Sequence, residues 1–562
     1  MERLRRLLLA LDASEKNKLR DLYGGVKDFV YIRLQFSFSG TGPRMPEKLI
    51  LQIQIPADVL GRSDFEPLVA EDYLLRRLTP ITEEMNREIQ NTGKDLRDRP
   101  EFISQPVNER CTRRSGMRFD AAAGVFVWQV VFRAPLQKSR YIDGKGTYRV
   151  LHELMRRVSS ALEEPDSPAL ERAEGVYHRQ QQIRAFLRTH RLAAFVADGS
   201  VLPRENGTSV PKRDAIPFRS PDSLAVFVDL EDGTTVRGMG VPAGVTVITG
   251  GGYSGKSTLL DALESGIYDR IPGDGREYVL SDPSSLRISA EDGRPVTSLD
   301  LSAFFRFLPG GDPREFSTPH ASGSVSQAAG IAEAVYGGAR LLLMDEDQSA
   351  VNFMLRDAQM RRLVPRDPII PFTDRIRELY EEYGVSVVLV IGSCSDYLAY
   401  ADTVLRMEDF CVQDITAQIR GLSLTAAAGE EEKARFPSSR RLIPRQTSQA
   451  FLYFRSVQTE NARFIRLDGY SVDISHLTAI TSQEQIHTLA CVLESVLCDP
   501  AADEEELTEK LLHCTERISR GDLSAASLIP ERTLLFCEEI RPLDALCCLN
   551  RLRGVHFSCT LP

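Results

Sequence analysis

The 562 residues carry 69 Lys and Arg against 79 Asp and Glu, a net charge of −10 with His neutral. Bulk electrostatics therefore give no pull towards nucleic acid, and no apolar run is long enough to cross a bilayer. A hydrophobic content of 42% is ample for burial, and the length exceeds one core, so three domains are expected.

The first region is expected to be an α+β domain over residues 1–217. Met1 to Leu11 pairs Arg3, Arg5 and Arg6 with leucines, and Asp12 and Glu15 follow at once. This reads as an amphipathic first helix of a cytoplasmic protein, with a mitochondrial targeting signal as the alternative. Leu49 to Ile55 alternates as a strand does, and Thr147 to Leu162 is helix-like. Glu101 to Arg157 is locally basic, eleven Lys or Arg against five Asp or Glu. Arg113, Arg114, Arg118, Arg133, Lys138, Arg140, Lys145 and Arg149 are interleaved there with Tyr141, Tyr148 and the lone Trp128. Two readings stand. A basic, aromatic surface grips single-stranded RNA, or a solvated face covers a core that keeps Trp128 inside.

Pro203 to Pro221 reads as a loop or linker. The second region, residues 218–425, opens on an expected hairpin, Leu224 to Leu230 and Thr234 to Met239, around Glu231-Asp232-Gly233. Then comes the most informative passage. A strand-like run, Val245 to Thr249, enters Gly250-Gly251-Gly252-Tyr253-Ser254-Gly255-Lys256-Ser257-Thr258, and a helix-like run leaves it. Four residues separate the first Gly from Gly-Lys-Ser, the pattern of a phosphate-binding loop. Backbone N–H groups and the helix N-terminus can hold a phosphate chain there. Lys256 can reach the β- and γ-phosphates, and the Ser257 hydroxyl can hold Mg²⁺. Downstream, the apolar run Leu341 to Met344 reads as a buried parallel strand and ends in Asp345-Glu346. Asp345 is placed to order the metal shell, and Glu346 to polarise a water.

The third region, residues 426–562, begins with the polar stretch Ala426 to Lys433. A second basic cluster follows, Arg435, Arg440, Arg441 and Arg445, which is equally open to either reading. Short strands are expected near Phe451 and Phe464, then helices, so a small, mostly helical α+β domain. The ten cysteines show no paired metal spacing, and buried thiols are expected rather than disulfides.

The order of motifs sorts the chain further. Ala321-Ser322-Gly323-Ser324-Val325 sits where ABC-type ATPases carry their Leu-Ser-Gly-Gly-Gln signature, and Ser322 precedes Asp345 by twenty-three positions. Asp345-Glu346-Asp347-Gln348-Ser349-Ala350-Val351-Asn352 resembles the ABC pattern Asp-Glu-Pro-Thr-Ser-Ala-Leu-Asp. Leu192 to Arg204, Ile271 to Val279 and Ala290 to Arg294 narrow the likeness. The chain resembles the soluble "predicted ATPases of the ABC class", most densely from Leu192 to Thr416.

That resemblance implies an α/β P-loop core without a transporter half, ATP or ADP as ligand, and Mg²⁺. It implies a head-to-tail homodimer in which Ser322, Gly323 and Ser324 complete the partner's nucleotide site, and relatives have been associated with RNA. Catalysis would fall to Glu346 and Lys256. The alternative to a nucleotide-gated ATPase is an RNA-binding subunit in which ATP acts as a clamp with little turnover. The chain departs from the pattern in three places. Ser254 stands where the family usually has His. No His follows the strand Val385 to Ile391, where Gly392-Ser393-Cys394-Ser395-Asp396 stands instead. No Gln lies between Ser257 and Ser326 to contact the metal.

Overall fold

The computed structural model describes residues 2–22, 27–29, 32–38, 48–91, 98–164, 166–422, 424, 434–436, 441–442, 457–460, 463–467, 470–498, 507–519, 536–553 and 558–559. The stretch Ala426 to Lys433, the strand expected near Phe451, and Arg440 and Arg445 lie outside them. The chain divides into two compact units, Met1–Gly175 with Arg517–Glu539, and Val176–Glu516 with Ile540–Pro562.

The first unit is built on a six-stranded antiparallel sheet. Its central strand, Lys48–Pro56, runs between Ile32–Phe38 and Val125–Arg133. Met117–Asp120 pairs with the first half of Val125–Arg133, and Glu101–Ser104 with the second. Leu49, Leu51, Ile53 and Ile55 are fully buried while Gln52 and Gln54 are half-buried, the alternation a one-sided sheet demands. Trp128 faces Ile53 across the ladder and has no exposed surface. Helix Pro67–Gln90 packs across Glu101–Ser104 and Met117–Asp120, burying Leu68, Leu75, Leu78, Thr82 and Met85 at helical spacing.

The second unit holds a six-stranded sheet in the order Leu286–Ile288, Leu341–Asp345, Ser386–Val390, Val245–Gly250, Thr403–Glu408 and Cys411–Asp414. The first five are parallel, and Cys411–Asp414 is antiparallel. Every residue of Leu341–Asp345 and Ser386–Val390 is buried, as expected of parallel strands covered on both faces. A four-stranded antiparallel sheet lies in the same unit, in the order Ala225–Asp229, Thr235–Pro242, Leu192–Ala197 and Val279–Ser281. Leu192–Ala197 pairs with strands on both sides, which places it in this unit although it precedes residue 217. Pro542–Leu549 and the three-stranded sheet Val457–Glu460, Phe464–Leu467 and Tyr470–Asp473 belong to the second unit too.

This strand order positions the site. Val245–Gly250 and Leu341–Asp345 are parallel and separated by one strand, so their carboxyl ends open onto the same sheet edge. That edge is where open α/β sheets place ligands.

Candidate functional site

The loop after Val245–Gly250 is shaped by its backbone. Gly250 has φ 146°, and a Cβ there would meet the Met407 carbonyl oxygen at 2.3 Å, so only glycine fits. Gly255 has φ 102° and caps the helix Lys256–Ser265. Between them Gly251, Gly252 and Tyr253 are exposed, Tyr253 with φ 59°. Ser254 Oγ donates to the Gly251 carbonyl at 2.8 Å, closing the loop. Lys256 Nζ donates to the carbonyls of Gly250 and Gly251, both at 2.8 Å, so the ammonium is folded over the loop's rim. Thr258 follows half-buried in the first helical turn.

Two carboxylates approach from the carboxyl end of Leu341–Asp345, one strand removed. Ser257 Oγ lies 3.4 Å from Asp345 Oδ2. Asp345 is buried, and its Oδ1 accepts the Asp347 N–H at 3.1 Å. Hydroxyl and carboxylate oxygens in this pairing are hard donors that suit Mg²⁺. Glu346 is half-buried and gripped by the turn after Ser386–Val390. Its Oε2 accepts the N–H groups of Gly392 at 2.6 Å, Ser393 at 3.0 Å and Cys394 at 3.4 Å, and its Oε1 accepts Ser393 Oγ at 2.6 Å. Burial works to raise this carboxyl, but the bonds from Ser393, Gly392 and Cys394 prevail and hold its pKa below the ordinary value.

Ser322 is the N-cap of helix Gly323–Tyr336 and is exposed, its side chain not used in capping. Among the described residues no hydrogen bond joins Ser322, Gly323 or Ser324 to the phosphate loop of the same chain. The helix is tied instead to the segment after Glu346. Fully buried Gln327 donates to Ser349 Oγ at 2.9 Å and accepts the Ala350 N–H at 2.8 Å. Ser349 Oγ in turn donates to the Asp345 carbonyl at 2.7 Å.

Sequence reasoning missed three of these residues. Gln327 is hidden inside an apolar helix. Ser393 stands in the turn that lacks the His of the ABC pattern, and that departure is the signal the sequence carries. Phe410, at φ 64° and exposed, lies against Gly255, with its Cδ1 3.4 Å from where a Cβ would be.

Three arginines of the basic stretch are ion-paired within the first unit. Arg114 is buried against Asp72 at 2.5 Å and lies 3.5 Å from Glu538. Arg133 pairs with Glu101 at 3.2 Å, and Arg140 with Glu15 at 2.8 Å. With Trp128 sealed in the core, its ring is not a stacking surface. No helix is long and apolar enough to cross a membrane among the described residues. There Cys537, Cys547 and Cys548 are buried and in no disulfide, and burial pushes the Cys547 and Cys548 thiols up to about 12.

Comparison with known proteins agrees with this geometry. Residues 166–441 match the P-loop domain of the ABC ATPase family, and residues 456–558 match the MRB1590 C-terminal domain. Uncharacterized protein MJ1628 of Methanocaldococcus jannaschii is 30% identical over 283 residues, which is 48% of this chain and 61% of that protein. The chain thus spans under two thirds of that relative's length. Among solved structures, the ADP conformation of MJ1267, an ATP-binding cassette of an ABC transporter, aligns at 13% identity over 41% of this chain and 93% of its own. The TM-score is 0.25.

Proposed function

Residues 166–441 belong to the ABC ATPase family, and from that premise we propose that the protein is a Mg²⁺-dependent ATPase working as a head-to-tail homodimer closed by nucleotide. One observation carries this reading: the glycine loop, the Ser257–Asp345 pair at 3.4 Å and Glu346 meet at one sheet edge. The N–H groups of Gly250 to Thr258 and the helix behind them favour a phosphate chain. Lys256 would leave the loop carbonyls for the β/γ-phosphates. Ser257 and Asp345 would hold Mg²⁺, whose chemistry is to neutralise phosphate charge. Glu346 would take the proton of the attacking water as its oxygen bonds to the γ-phosphorus and the bond to ADP breaks. The exposed ring of Phe410 offers a surface for the base.

Ser322, Gly323 and Ser324 serve the other chain's nucleotide in this reading. Their freedom from their own phosphate loop supports it, and the Gln327 bonds would carry closure at the signature back to the Asp345 strand.

The test is complementation. Lys256→Ala should weaken ATP binding at least tenfold, about 1.4 kcal/mol. Ser322→Arg should place a bulky cation at the partner's γ-phosphate. Each variant alone should release little phosphate. Mixed, they form a heterodimer with one intact site and one doubly defective site, and phosphate release should recover. No recovery in confirmed heterodimers would mean that each site is built within one chain or that both must fire together. Should the unmodified protein turn over too slowly to measure, ATP-dependent dimerisation read by sedimentation replaces the rate.

A further inference from the structure

The second unit contains a cleft of about 550 Å³ that is separate from the phosphate loop. It is lined by Ala243, Arg340 and Ser386, which stand just before or at the amino ends of Val245–Gly250, Leu341–Asp345 and Ser386–Val390. The phosphate loop and Asp345 lie at the carboxyl ends of the same strands. Five steps of strand, about 17 Å, separate the two edges. The cleft is of the size that small-molecule sites have.

Four arginines and two acids line it. Arg184 is fully used, bound to Asp269 at 3.0 Å and to the carbonyls of Ser281 and Gly266 at 3.0 and 3.1 Å. Glu381 is taken by Arg377 at 2.8 Å. Asp282 Oδ1 is engaged by the N–H and hydroxyl of Ser284 at 2.9 and 2.6 Å. Arg188, Arg191 and Arg340 remain, exposed and with no ion pair or side-chain hydrogen bond among the described residues. What sets these three guanidiniums apart is that they line one cleft together.

Two of the three are fixed at their backbones. Arg191 holds the left-handed φ of 54° at the corner between helix Ser167–Thr189 and strand Leu192–Ala197, and its carbonyl accepts the Ala243 N–H at 2.9 Å. A non-glycine residue there carries a local cost that the surroundings must offset. The Arg340 N–H donates to Ser284 Oγ at 2.9 Å. Buried Leu187 and Ala193 and half-buried Leu192 add an apolar floor, and the half-buried Tyr380 adds an aromatic wall.

We propose that this cleft is a second ligand site, taking a small phosphorylated molecule with a planar ring: phosphate on Arg188, Arg191 and Arg340, ring against Tyr380 and the apolar floor. Guanidinium groups suit phosphate through paired, charge-assisted hydrogen bonds. Its place at the far ends of the strands that carry the phosphate loop makes it a regulatory position rather than a catalytic one.

AMP is the probe, titrated calorimetrically into full-length Lys256→Ala so that the phosphate loop contributes little. One AMP per chain should bind, adenosine at least tenfold more weakly, and added salt should weaken AMP but not adenosine. Adding Arg188→Ala and Arg340→Ala, both exposed and so harmless to folding, should weaken AMP at least tenfold with the melting curve unchanged. Absence of AMP binding at millimolar concentration overturns the proposal. So does equal binding by the chains with and without the two arginines, because the AMP would then sit elsewhere, the phosphate loop included.

Discussion

Glu71 in the first unit and Glu346 in the second are partly buried carboxylates driven in opposite directions. Burial pushes Glu71 up to about 7. It accepts one backbone N–H, from Phe119 at 2.8 Å, and neither that bond nor the charges of Arg113 and Arg118 offsets the lost water. Glu346 also loses water, yet three N–H groups and a hydroxyl aim at it, and its pKa falls. Donor count, more than nearby charge, decides which carboxylate stays ionised. One turn of backbone after a central strand supplies all the donors on Glu346, which a helix-borne residue such as Glu71 cannot recruit.

The largest expected effect comes from removing the ionisable group where it is held as an anion. Glu346→Gln keeps the shape and loses the base. ATP should still bind, while phosphate release should fall by about 10² or more, the scale of general-base catalysis. The closed dimer should accumulate. A rate within a few-fold of the parent would dismiss Glu346 as the water-activating group, leaving Asp347 or Asp396.

The converse change at Glu71 should read out in stability. With a folded pKa of about 7 against an ordinary 4.5, the native state keeps a proton that the unfolded chain has lost. Stability is therefore fullest below pH 4.5 and declines as pH rises through 7. The full decline is at most about 3 kcal/mol. Glu71→Gln cannot titrate and still accepts the Phe119 N–H. Denaturant melts should show the variant gaining on the parent between pH 4.5 and pH 8, by about 2–3 kcal/mol. A gain that is equal at the two pH values would show that Glu71 is not buried as an acid.

What was legible in the sequence follows from the same contrast. The phosphate loop could be read because backbone demands fix its residue types: Gly250 and Gly255 occupy conformations that favour glycine. The flanking strands could be read because Leu341 to Met344 must be apolar on both faces. The grip on Glu346 could not, since Ser393 is 47 residues away, and only the topology of the parallel sheet brings its turn there. The partners of the basic stretch are hidden for a related reason. A charge count is blind to partners such as Asp72 and Glu538, 42 and 424 residues from Arg114, and Trp128 gives no sign in sequence that it faces Ile53. The start of helix Gly323–Tyr336 was readable from Ser322, but the buried Gln327 that ties it to Ser349 and Ala350 was not.

The smallest expected effect is the most specific. Ser393→Ala deletes the hydroxyl on Glu346 Oε1 and leaves the N–H groups of Gly392, Ser393 and Cys394 on Oε2. One lowering influence goes while burial stays, so the Glu346 pKa must rise. A base that protonates at higher pH moves the acidic limb of the kcat profile to higher pH. At neutral pH the rate should fall far less than in Glu346→Gln, because the carboxylate remains. Ser393→Thr restores a hydroxyl and should bring the limb back. A purely structural defect would lower the whole profile without displacing its acidic limb. If the limb stays in place in Ser393→Ala, the turn does not set the charge on Glu346 during turnover, and the carboxylate must leave these donors before it meets the water.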